Sequence, residues 1–229
     1  LCDRRQRQMC IRDRYLTEHQ RIIFNGNGYS DEWVAEAERR GLPNIRSMIE
    51  AVETLTTDKA VKLFEKFGIF TKAELESREE VLYEIYAKTI NIEALTMVDM
   101  ASKEIIPAVI KYSKSLADSV LAVKEAGADA EVQTELLKEV SAKLTEMKTA
   151  LAKLEEVEAK AAAMENAKDQ AFYYKDVVKA AMDALRKPAD ELEMIVDKKV
   201  WPFPTYADLM FEVSVSYTHL RAHETLSDL

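Results

Sequence analysis

Residues 137–164, LKEVSAKLTEMKTALAKLEEVEAKAAAM, place apolar side chains at Leu137, Val140, Leu144, Met147, Leu151, Leu154, Val157, Ala161 and Met164. The intervals alternate between three and four, with one stammer between Leu154 and Val157. Such a seam is a narrow stripe on a helix, and it stays dry only when another helix covers it. The run before it answers with Val109, Tyr112, Leu116, Val120 and Val123, and Gly127 lies between the two. A tight turn at Gly127 folds one helix back along the other. The pattern therefore predicts an antiparallel coiled-coil hairpin over about 99–165.

Outward from the hairpin, the chain keeps reading as helix. Thr71 and Glu74 form a capping box, and from there to Ala126 there is no Gly and a single Pro, Pro107. One very long helix is expected, or two end to end, kinked near Pro107 because the Lys103 carbonyl loses its partner. Asp129 is placed to cap the helix after the turn. Past Ala163 the helix is expected to continue to Arg186, since Phe172, Tyr173, Val177, Val178, Ala181 and Met182 keep one apolar face. Pro188 suits the first turn of a last helix over 189–196. The WPFPTY string at 201–206 is expected to be extended, its two prolines excluding helix and its rings needing a surface to pack on.

Upstream, residues 21–33 read RIIFNGNGYSDEW, a short apolar run followed by a double turn signal. Ser30 offers an N-cap oxygen with Asp31 and Glu32 in the first turn, and Gly41 with Pro43 stops that helix. A second short helix fits 45–55. A third, capped by Thr57 or Asp58, ends at Gly68. The fold class is mainly α: a helical domain with a long antiparallel hairpin and short irregular segments toward both ends.

Composition agrees. The 229 residues are 48% hydrophobic and 32% charged with only 5 Gly and 5 Pro, which favours long helices over sheets. A net charge of -9 argues against a nucleic-acid partner, because phosphate binding needs clustered cations and Arg39-Arg40 and Lys198-Lys199 are too short. No apolar run approaches the roughly 20 residues of a membrane span, and no secretory signal pattern opens the chain. Cysteine occurs only at Cys2 and Cys10, which suits a cytoplasmic protein and excludes a disulfide framework.

Both ends differ in character from the middle. Residues 1–14 are Arg-rich where the middle prefers Lys, and 214–229 follow an apparent stop after Val213. Both are expected to be foreign peptide, translated from sequencing-adapter read-through, which leaves 15–213 as the natural sequence. That segment starting mid-element at Tyr15 is what a truncated reading frame produces.

Little chemistry is legible. The H-x-x-x-H pair His219 and His223 has zinc-like spacing but no third ligand, and lies in a segment expected to be foreign. His19 stands alone beside Arg21, too little for a nucleophilic triad. Asn25-Gly26-Asn27-Gly28 holds G-x-G without the rest of a dinucleotide fingerprint, so it reads as a turn. Glu74, Glu76, Glu79 and Glu80 share a helix, and such carboxylates are usually a solvated face. Trp33, Tyr83, Tyr86, Tyr173 and Tyr174 read as core or interface. No catalytic, cofactor-binding or metal residue is assigned.

Five strings nevertheless carry a resemblance in chain order: RIIFNGNGYSDEW (21–33), EAERRGLPN (36–44), EVLYEIYAKTINIEALTMVDMA (80–101), IIPAVIKY (105–112) and ADELEMIVDKKVWPFPTYADLMFEV (189–213). Together they resemble the stretch that follows the catalytic core in type III glutamine synthetases, across essentially all of 15–213. The resemblance implies a parent enzyme joining ammonia to glutamate with ATP and Mg²⁺ or Mn²⁺, through a γ-glutamyl phosphate. It also implies homo-oligomeric double rings, so the partners would be the upstream core and neighbouring subunits. The core residues that bind nucleotide, metal and glutamate are absent, and this segment is expected to be inactive alone and to serve assembly or regulation. The alternative is a free-standing helical scaffold or adaptor.

Overall fold

A computed structural model describes residues 2–204 and 206–211. They divide into two compact units, 1–79 and 80–229, with the boundary inside one helix. No strand occurs among the described residues, and the chain is mainly α as the sequence implies.

The first unit holds α1 (Cys2–Glu18), a 3₁₀ turn (Gln20–Ile22), α2 (Asp31–Arg39), α3 (Met48–Val52), α4 (Asp58–Lys66) and the start of α5 (Lys72–Met100). Local rules explain its boundaries. The Ser30 hydroxyl accepts the Trp33 N–H, Thr57 does the same for Ala60, and Thr71 and Glu74 close the expected box. Gly41 and Gly68 end α2 and α4 at φ +68° and +61°, a conformation that costs any side-chain-bearing residue. The second helix is shorter than expected: it begins at Met48 because Ser47 and Glu50 form a capping box of their own. α1 runs across the expected boundary at 14–15, and its described side chains are all exposed.

Aromatic stacking secures the entry to α2. Phe24 lies on Trp33 at 4.4 Å, the Arg40 guanidinium sits over the same indole, and Arg40 Nη1 donates to the Ile23 carbonyl at 2.6 Å. A Cβ at Gly26 would come within 2.6 Å of the Phe24 ring, so a side chain there would require that ring to shift. Arg39 and Arg40 hold the Glu36 carboxyl at about 2. What this ion pair adds is therefore fully present above the ordinary carboxylate value of 4.5 and is lost as pH falls toward 2.

The second unit is a helical bundle. α5 passes through a π turn (Ala101–Ile105) into α6 (Ile106–Glu125), and α7 (Glu131–Ala162) returns alongside. Near Pro107, where a kink is expected, the helix makes that π turn: the Ile106 N–H donates to the Ala101 carbonyl, and the proline ring falls in the first turn of α6. Gly127 at φ +77° makes the reversal. Asp129 accepts the Glu131 N–H at 3.1 Å. Every seam position from Leu137 to Met164 is buried or half-buried, and so are Val109, Tyr112, Leu116, Val120 and Val123.

The hairpin has a third member. α8 (Ala167–Tyr173), a second π turn (Tyr174–Val178) and α9 (Lys179–Glu193) pack back along α7, bringing Val178, Leu185 and Leu192 into the same core as Met147, Leu151 and Leu154. Two expectations are corrected here. The helix does not continue past Ala163. It stops at Ala162, where Gln170 Nε2 donates to the Ala161 carbonyl, and restarts where the Asn166 side chain accepts the Asp169 N–H. Pro188 does not open a last helix over 189–196: it sits inside α9 with its ring fully buried. Its missing N–H leaves the Ala184 carbonyl without its helical donor, and burial of the ring in the core offsets that loss. α10 (Tyr206–Phe211) begins on the last residue of the aromatic string, so the stretch expected to be extended over 201–206 already turns helical at Tyr206.

Candidate functional site

The best-formed concavity lies in the second unit, where the π turn, α7, α9 and the 201–204 string meet. It measures about 340 Å³, within the range of small-ligand sites. The π turn brings Ala101 and Ile105 to its wall, α7 contributes Met147, and the aromatic string closes it with Trp201 and Phe203. These two rings meet edge to face at 6.4 Å, so the rings do find the surface that the sequence demands of them. At the rim Arg186 Nε donates to Asp190 Oδ2 at 3.2 Å. Its described lining carries the carboxylates of Asp190 and Glu193 and no histidine. Such a site can receive an apolar group and orient it against the charges at its rim.

Polar side chains also link the helices of the bundle. Asn91 Nδ2 donates to Tyr174 Oη at 2.7 Å and to Glu158 Oε1 at 3.2 Å, joining α5 to α7 and to the second π turn. Burial pushes the Tyr174 phenol above its ordinary value, with the Asn91 hydrogen bond acting against it. Lys143 bridges Glu146 at 3.1 Å and Glu191, tying α7 to α9. Tyr83 and Tyr174 are buried, and Trp33, Tyr86 and Tyr173 half-buried, as core aromatics should be.

The residues weighed from sequence do not converge. His19 is exposed and stacks on Tyr15 at 6.2 Å. Asn25 to Gly28 form a turn in which Asn27 Oδ1 accepts the Tyr29 N–H. Glu74 is spent on its cap and Glu76 pairs with Lys72 at 3.5 Å. Arg39 and Arg40 are engaged by Glu36, and Lys198 pairs with Asp208. His219 and His223 lie outside the described residues. Among the described residues no three His, Cys, Asp or Glu side chains are grouped to hold a metal. Nor is any described helix long and apolar enough to cross a membrane. The apolar cavity had one sequence signal, the rings of WPFPTY, but nothing in the string says which helices they meet.

Comparison with known proteins supplies what the geometry leaves open. A family described as glutamine synthetase C-terminal domain matches residues 9–124, about half of the chain. A glutamine synthetase of Butyrivibrio fibrisolvens is 40% identical over 200 residues, covering 86% of this chain. A type-3 glutamine synthetase of Dictyostelium discoideum is 34% identical over 202 residues. A glutamine synthetase of Bacteroides fragilis is 34% identical over 196. The chain spans only 29%, 28% and 27% of those proteins respectively. The resemblance read from NGNGYSDEW and WPFPTY and these matches converge on one assignment: the chain belongs to the glutamine synthetase C-terminal domain family.

Proposed function

We propose that this chain is the non-catalytic, C-terminal part of a type III glutamine synthetase, and that it serves to assemble the enzyme. The carrying observation is the family match together with coverage of less than a third of each relative. In this reading the parent enzyme ligates ammonia to glutamate in the cytoplasm, with ATP and Mg²⁺ or Mn²⁺ held by the portion outside these residues. The bundle meets that portion and neighbouring subunits of a homo-oligomeric ring. A helical bundle with a continuous apolar core suits a spacer between subunits. The same features would suit a free-standing adaptor, and the enzyme's own gene context separates the two.

The purified chain is expected to form no γ-glutamyl hydroxamate from glutamate, hydroxylamine and ATP, while the full-length parent does. Turnover by the chain above a no-enzyme blank, abolished by a substitution within 15–213, would contradict the proposal.

A further inference from the structure

α5 is apolar on two sides. Tyr83, Ala87, Ile90 and Ala94 are buried, while Val81, Ile85, Ile92 and Leu95 are 51%, 51%, 66% and 48% exposed. At about 100° per residue these four project within an arc of about 80°, opposite the buried set, along about 21 Å of helix. Thr89 and Thr96 lie beside them and donate their hydroxyls to the carbonyls of Ile85 and Ile92 at 2.8 and 2.7 Å, so these hydroxyls are already satisfied within the helix. The one cation in the stripe, Lys88, is paired with Glu84 at 2.7 Å. A helix face left to water carries charges, whereas a helix apolar on both faces belongs inside a larger body.

We propose that this stripe is the docking surface for the part of the parent polypeptide that lies outside these 229 residues, an inference that rests on the function proposed above. Over two thirds of each relative's length falls outside the matched region, so the covering body is available in the same polypeptide. The absence of unpaired charge along the stripe fits a permanent interface better than a transient one. A second copy of the chain fits less well. A two-fold antiparallel pairing centred on the stripe brings Lys88 against its own symmetry mate, and like charges facing each other oppose it.

The test labels single cysteines with a maleimide. Cys2 and Cys10 are replaced by serine, and Ile85→Cys, Ile92→Cys and, as a control, Ser115→Cys are each made in the 229-residue chain and in the full-length synthetase that carries it. Labelling at 85 and 92 is expected to be fast in the chain and at least about tenfold slower in the full-length protein, since an interface core excludes solvent, with little change at 115. Equal rates in both proteins overturn the proposal, and so does equal slowing at 115, which would mean general shielding. Slow labelling in the chain alone, with a dimer in sedimentation, overturns it in favour of self-association. Hydroxamate formation by the full-length protein is read separately, so failure of the synthetase assignment is distinguishable from failure of the docking surface.

Discussion

Leu151→Asp is expected to unfold the second unit, costing at least about 4 kcal/mol, because the substitution loses buried apolar volume and buries an unpaired carboxylate. Leu151 is fully buried at the centre of the seam, in the same core as Val178 and Leu185. No described cation in that core can pair with an aspartate there, since the described buried side chains are all apolar apart from tyrosine and tryptophan. Glu155→Gln, one turn on and exposed, should stay within about 0.5 kcal/mol of the natural chain. Urea unfolding followed by circular dichroism reads both. Leu144 is a gentler site than its place in the seam implies: it is half-buried beside an open groove with Ile106 and Ile110, where an aspartate can reach water. A Leu151→Asp chain as stable as the natural one would remove the basis for the three-helix core.

The second large effect is expected at Trp201. Its indole is 9% exposed, walls the apolar cavity and meets Phe203 edge to face. Trp201→Ala should cost about 3 kcal/mol, the range for removing a large buried aromatic, and should enlarge the opening between α9 and the π turn. Pro202→Ala, whose ring is exposed, should cost under about 1 kcal/mol through chain entropy alone. Thermal melts compare the two. Similar small shifts for both would mean that the aromatic string is not part of the core.

The two corrections and the one surprise share a cause. Caps and stops were legible because each depends on neighbours in sequence: Ser30, Thr57, Thr71 with Glu74, and the three glycines at positive φ. The seam was legible because periodicity is local too. That a third helix would cover α7 was not, since Val178, Leu185 and Leu192 repeat at seven like any amphipathic face, and nothing local names their partner. The break at 163–166 contains neither Gly nor Pro, and two alanines, Ala161 and Ala162, lead into it. Tertiary contact and the Asn166 cap decide it. Pro188 has the opposite history: propensity argues for a helix start, and burial of its ring overrides propensity. The π turn at Tyr174–Val178 has no proline to announce it, although it delivers Tyr174 Oη to Asn91. The candidate cavity inherits this division. Its aromatic wall could be anticipated and its helical walls could not.

The proposed role, that the bundle assembles the enzyme without taking part in its chemistry, is tested by sedimentation of the full-length synthetase, intact and lacking the segment from residue 80 onward, with Leu151→Asp in the full-length protein as a second way to melt the bundle. A large ring is expected from the intact protein and small species from both variants. A ring of undiminished subunit number in both variants, with the bundle gone or unfolded, would contradict it.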